Sequence, residues 1–160
     1  MNFFERKFFL VSVLFVFLNS FLFSQQFLKG ADLSSLQQYE DLGVNFFDEN
    51  NNQITDVVDF FAKRNLNCIR FRLWVNPELS EENLSKTDYC NLENTIKMAK
   101  RVKSLGIKLL IDFHYSDFWA DPGKQQAPKA WENMSVEEKT QVIYVRYFRL
   151  KKTTLTHSLL

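Results

Sequence analysis

An excess of charge of either sign is missing from this 160-residue chain, in which 20 lysines and arginines stand against 19 aspartates and glutamates for a formal net charge of +1. Without residues 1–24, which hold Glu5, Arg6 and Lys7, the balance is 18 against 18. That excludes the basic footprint by which a domain holds nucleic acid, and no nucleic-acid partner is expected. Histidine and cysteine are scarce, two of each, and no spacing among them matches a zinc pattern. A metal site would have to come from Asp112, His114, Asp117 and Asp121. Of these, the pair at i and i+2 is only a two-ligand start, so neither metal nor cofactor is expected. Low-complexity linkers and tandem repeats are absent as well. With 46% apolar and 24% charged residues, the composition is that of a chain that folds, at a length that suits one domain.

The one long apolar run, Phe8 to Phe23, follows Glu5-Arg6-Lys7 and precedes Ser24-Gln25-Gln26, the order of a secretory signal peptide. The competing reading is a membrane anchor. The run is short of the roughly 20 apolar residues that span a bilayer and contains Ser12, Asn19 and Ser20, so no stable anchor is expected. The division that follows is a signal peptide over 1–24, a folded part over 25–160, and a secreted or periplasmic protein. In such a compartment Cys68 and Cys90 pair only if their Cα atoms come within about 7 Å. The alternative, favoured here, is two free thiols behaving as small apolar residues. Asn83-Leu84-Ser85 and Asn133-Met134-Ser135 match the glycosylation sequon, which matters only in a eukaryotic secretory pathway.

Phe27 to Asp32 reads as a strand, and Ile54, Val57, Val58 and Phe61 fall on one face of a helix. The pattern repeats with a strand from Cys68 to Val75 and a helical stripe of Leu92, Ile96, Ala99 and Val102 closed by Gly106, which suits a left-handed cap. A third strand runs from Lys108 to His114. Ser135-Val136-Glu137-Glu138 is a capping box that starts a third helix. Regular alternation of strand and helix argues for an α/β fold with parallel strands and right-handed crossovers.

Strand chemistry separates a barrel from an open sheet. Cys68, Arg70, Arg72 and Trp74 share one face and Ile69, Phe71 and Leu73 the other; Leu110, Asp112 and His114 lie opposite Leu109, Ile111 and Phe113. An open parallel sheet, covered by helices on both faces, reads as continuously apolar. One apolar face, and one turning polar toward the strand's C-terminal end, is what a (β/α)8 TIM barrel needs. The strand-to-helix connections 34–53, 76–91 and 115–134 are long and the returns short, so function belongs on the long-loop side.

Asp112, His114, Tyr115, Asp117, Trp119 and Asp121 crowd the end of the third strand. A polar cluster with Trp and Tyr suits a sugar, whose hydroxyls need fixed donors and acceptors while its C–H faces pack on rings. The bland alternative for Asp112 and His114 is a structural pair inside the barrel. Arg70 and Arg72 on a buried face require carboxylates or bound polar groups.

Four stretches carry a family likeness: Lys29-Gly30-Ala31-Asp32-Leu33-Ser34-Ser35, Ile69-Arg70-Phe71-Arg72-Leu73-Trp74-Val75-Asn76-Pro77, Tyr89-Cys90-Asn91-Leu92-Glu93, and Asp112 to Gln125 continuing to Ala130-Trp131. Over about Phe27 to Gln141 they resemble the arabinogalactan endo-β-1,4-galactanases, family 53 of the glycoside hydrolases. The resemblance implies a barrel that hydrolyses β-1,4-galactan, a polysaccharide substrate, with retention. It would use a glutamate acid/base after strand four and a glutamate nucleophile on strand seven, about 5 Å apart. It further implies that Arg70 supports the nucleophile through a charge-assisted hydrogen bond. Asp32, Trp74, Asn76, His114, Tyr115, Asp117 and Trp119 would shape the sugar subsites.

Neither glutamate can be assigned: Glu132, Glu137 and Glu138 read as solvated or capping residues. From Tyr144 the sequence mixes bases and aromatics without a clear apolar stripe, so 143–160 is expected to be an atypical tail. The resulting expectation is about three βα units of the barrel, truncated or frameshifted before both catalytic glutamates and inactive alone. The alternatives are a secreted non-catalytic carbohydrate-binding remnant and a signal-anchored interaction protein.

Overall fold

Along the chain lie β1 (Gly30–Asp32), α1 (Leu36–Asp41), β2 (Phe46–Phe47), β3 (Gln53–Ile54), α2 (Val57–Lys63), β4 (Cys68–Leu73), α3 (Leu92–Ser104), β5 (Lys108–Phe113) and α4 (Val136–Leu155). Short 3-10 turns occupy Pro77–Leu79 and Lys129–Trp131. The computed structural model describes residues 27–83 and 87–155, with side chains to residue 152. The expected signal peptide, and Leu84 and Ser85 of the first sequon, lie outside the described residues.

β1, β4 and β5 form a parallel sheet with β4 in the middle, in the register Gly30–Cys68, Asp32–Arg70, Arg70–Leu110 and Arg72–Asp112. β1 begins three residues later than expected. Before it, Asn67 replaces a ladder: its Oδ1 accepts from Lys29 N at 3.0 Å and its Nδ2 donates to Phe27 O at 2.8 Å. At Gly30 a Cβ would stand 2.5 Å from Cys68 O, so the close approach of β1 to β4 requires glycine.

The helix expected from Ile54 starts at Val57, because Asp56 caps it and accepts from Val58 N and Asp59 N. Ile54 instead pairs with Phe46 in the β2–β3 hairpin, which with α1 fills a connection that shows no helical or strand period. Arg101 of α3 ties these pieces together, at 2.8 Å from Glu40 and 2.9 Å from Asp56. Burial opposes ionisation of Asp56, but the Asp59 amide and Arg101 outweigh it and hold its carboxyl below the usual range. Asp56→Ala is expected to cost about 1–2 kcal/mol in urea unfolding, and Asp56→Asn, which keeps a capping oxygen, less. The capping charge contributes above the carboxyl's unfolded pKa and is lost as pH falls through its lower folded value, so the gap between wild type and Asp56→Asn shrinks in acid.

All three longer helices pack on one face of the sheet. Val58 of α2 and Met98 and Val102 of α3 meet Ile69 and Phe71, while Leu150 of α4 and Leu92 meet Leu73. The other face carries Arg70, Arg72, Leu110 and Asp112, as the alternation of side chains requires. α3 is capped by the Asn91 side chain on Asn94 N at 2.9 Å, and Gly106 follows it at φ +72°. Cys68 and Cys90 are buried free thiols.

α4 opens on the expected capping box, Ser135 Oγ accepting from Glu138 N at 3.2 Å and Glu138 Oε2 from Ser135 N at 2.7 Å. The helix then continues through the stretch that lacks a clear stripe. There its bases reach the sheet and α3: Arg146 donates to Trp74 O at 3.0 Å and Val75 O at 3.3 Å, and Arg149 pairs with Glu93 at 2.7 Å. Leu150 is buried while Tyr144, Val145, Tyr147 and Phe148 remain exposed, so this length of helix has an anchor but no continuous apolar face.

Candidate functional site

The connections following β1, β4 and β5 converge at the C-terminal end of the sheet. Arg70, central on β4, donates one terminal nitrogen to Asp32 on β1 and the other to Asp112 on β5. The parallel register makes this possible: Asp32 stands beside Arg70, and Asp112 lies two pairs further on, opposite Arg72 and on the same face. Ser34 N and Oγ also donate to Asp32, at 2.9 and 2.5 Å. Burial works against the Asp32 charge, yet Ser34, Arg72 and Arg70 together hold its carboxyl below the usual range. Arg70 is correspondingly raised: burial opposes its charge, and the two carboxylates more than offset that.

From Asp112 the network passes to His114, whose Nε2 lies 3.1 Å from Asp112 Oδ2. The His114 Nδ1 receives two donors, the Trp74 indole N–H at 3.2 Å and Ala120 N at 3.3 Å. Both are N–H groups, so Nδ1 supplies the lone pair and the proton sits on Nε2, donated to Asp112. Long-range 1H–15N NMR correlations are expected to show protonated Nε2 and bare Nδ1 at His114. Removing the indole donor with Trp74→Phe should shift Nδ1; an Nδ1–H signal in the wild type would contradict the network.

Around this line of polar groups the aromatics are close. Trp74 lies with ring centroids 4.7 Å from Phe118 and 5.9 Å from Trp119. The Arg72 guanidinium sits 4.2 Å over the Trp119 ring, a cation–π contact, and donates to Ser35 Oγ at 3.1 Å. Tyr115, at a left-handed φ of 48°, stacks on Phe113 at 5.7 Å and faces Trp131 at 6.3 Å. A cavity of about 540 Å³ is lined by Asp112, His114, Tyr115 and Trp131 among others. Tyr115 and Trp119 are nearly half exposed, at 44% and 46%, and so have ring surface open to solvent.

Two residues expected at sugar subsites are buried and hydrogen-bonded within the chain. Asp117 is 8% exposed, and its oxygens accept from Asn76 N at 2.9 Å and Lys129 N at 2.8 Å. It braces the two connections after β4 and β5 against each other, because a buried carboxylate takes the nearest unpaired amides. Trp74 is likewise buried, and its N–H donates to His114. Asp121 accepts from Gly123 N at 2.8 Å in its own turn, and among the described residues no three His, Cys, Asp or Glu side chains cluster as a metal group. Asn76 is half-buried at the start of its loop. Ser34, Ser35 and the Arg72–Trp119 stack were not singled out by sequence reasoning; the polar pair of serines directly after Asp32 was the available signal.

The family model for glycosyl hydrolase family 53 matches residues 28–156, beyond the Gln141 limit of the motif register. The endo-beta-1,4-galactanase of Bacillus subtilis (strain 168) is 40% identical over 121 residues, 76% of this chain and 28% of that protein. The arabinogalactan endo-beta-1,4-galactanase of Cellvibrio japonicus is 37% identical, over 74% of this chain and 29% of that one. The chain therefore spans under a third of the length of these curated relatives. Among solved structures, the GH53 catalytic domain of Ignisphaera aggregans superposes with a TM-score of 0.69 at 34% identity, over 84% of this chain and 37% of that one. A structure from work on two fungal beta-1,4-galactanases gives 0.65 at 30% identity, over 82% of this chain and 36% of that one. A match over residues 28–156, with relatives of this identity, establishes that the chain belongs to glycosyl hydrolase family 53.

Proposed function

We propose that this chain supplies the first three βα units of a (β/α)8 barrel in a secreted, retaining endo-β-1,4-galactanase acting on arabinogalactan or pectic galactan. The observation that carries the reading is Arg70 held between Asp32 and Asp112 at the loop end of a sheet whose helices all lie on the other face. A barrel needs that one-sided covering, and its sites sit at that end. Arg70 presents charge where a catalytic carboxylate has to be held. Tyr115 and Trp119 offer ring faces to sugar C–H groups, with Asp32, Asp112 and Asn76 as polar partners. Retention needs two carboxyl groups about 5–5.5 Å apart, and the pair is assigned to strands beyond β5.

The test compares the whole protein with residues 25–160 expressed alone. The whole protein is expected to release oligosaccharides from β-1,4-galactan with retained anomeric configuration. The shorter polypeptide is expected to show no hydrolysis and little cooperative unfolding, because its sheet edges are unpaired. Turnover by the short form above an Arg70→Ala control, or a whole protein inert on galactan, would sink the proposal. Sequencing the coding DNA past Leu160 in three frames shows whether a strand ending in Asn-Glu follows. Secretion is tested by N-terminal sequencing of protein from the medium, which should begin near Gln25.

A further inference from the structure

Beside β4, at the level of Arg72, β1 has already turned away and Ser34 Oγ accepts from Arg72 N at 2.9 Å in place of a strand. The cavity left there has room for the centre of about one water molecule, about 10 Å³, and is lined by Arg72, Gln37, Thr95 and Cys90 among others. Three polar atoms on these residues are buried with no hydrogen-bond partner among the described residues: Arg72 Nε, Gln37 Oε1 and Thr95 Oγ1. Gln37 and Thr95 are 9% and 3% exposed, so bulk water does not serve them.

The polarity of the site follows from its neighbours. Asp88 O can only accept, so the Asn94 group 3.2 Å from it is Nδ2. Asn94 Oδ1 then accepts from Gln37 Nε2 at 3.0 Å, which leaves the Gln37 carbonyl oxygen as the buried, unpartnered end. Arg72 Nε–H is a donor, Gln37 Oε1 an acceptor, and the Thr95 hydroxyl either. No described side chain can satisfy all three, whereas one water accepts from Arg72, donates to Gln37 and bonds Thr95.

We propose that this cavity is a binding site for a single buried water that joins β4, α1 and α3 and positions the Arg72 guanidinium beneath Trp119. Thr95 is then a positioning residue for an aromatic wall it does not touch.

The experiment is a crystal structure of the whole protein at a resolution that shows ordered water, with the Thr95→Val and Thr95→Ser variants alongside. One fully occupied water within hydrogen-bond distance of all three atoms is expected. Thr95→Val should lower Tm by about 2–4 °C and let Arg72 move away from the Trp119 ring, while Thr95→Ser keeps both. A direct Arg72 Nε to Gln37 Oε1 bond without water density would overturn the proposal. So would a Thr95→Val protein unchanged in both Tm and Arg72 position. Should Thr95→Val not fold, the wild-type density alone decides.

Discussion

Arg70→Met in the whole protein is expected to destabilise it by about 2 kcal/mol at pH 7, roughly half the cost of breaking a fully buried ion pair, because these side chains stay about one-third exposed. Methionine keeps the stem and removes the charge between Asp32 and Asp112. The effect is pH-dependent, with a definite sign. Asp32 has a lowered pKa in the folded state, so its contribution is present above the unfolded value and lost as pH falls through the folded one. Ser34 hydrogen bonds supply a larger share of that lowering than Arg70 and survive the substitution, so part of the contribution remains. The gap between variant and wild type should be widest near neutrality and close below the ordinary carboxylate range. Urea unfolding at several pH values measures it, and a gap that is absent at pH 7 or constant into acid would contradict the ion-pair account. On galactan, Arg70→Met in the whole protein should lower kcat on the order of 10²-fold, and Arg70→Lys should rescue little, since lysine cannot span two carboxylates with a planar fork.

Asp117→Ala in the whole protein is expected to cost at least as much, about 2–4 kcal/mol, since it leaves both the Asn76 and Lys129 amides without their shared acceptor in a partly buried place. Asp117→Asn retains one acceptor and should fall between. The Lys129 amide opens the turn Lys129–Trp131, so losing the brace also frees Trp131, a wall of the cavity beside Tyr115. Thermal unfolding gives the order of stabilities, and near-UV circular dichroism reports the tryptophan environments. An alanine variant as stable as the asparagine one, with an unchanged aromatic spectrum, would show that the carboxylate does not hold the two loops.

Much of this site was legible before the fold. The alternation Arg70-Phe71-Arg72-Leu73 assigns each arginine to the polar face whatever the strand packs against, and the cluster Asp112 to Trp119 marks the end of β5. The Ser135 capping box and the Gly106 cap also follow from local chemistry. Where the reading went astray, long-range partners decided. Ile54 satisfies a helical period but pairs with Phe46, because Asp56 offers a better cap. Phe27 and Leu28 have strand chemistry but lie outside the sheet, where the Asn67 side chain bonds Phe27 O and Lys29 N in place of a ladder. α4 continues without a clear stripe because Arg146 and Arg149 find acceptors on other elements.

Asp117 and Trp74 draw the same boundary at the site itself. Sequence by itself determined the element types, which side chains share a face, and which loop gathers polar and aromatic groups, because these depend on neighbours within a few residues. Tertiary structure alone decided that Asp117 turns inward to two amides, that Trp74 donates to His114, and that one arginine bridges two carboxylates. Those choices depend on the register between strands and on which buried donors are left unpaired, and neither is written in any single segment.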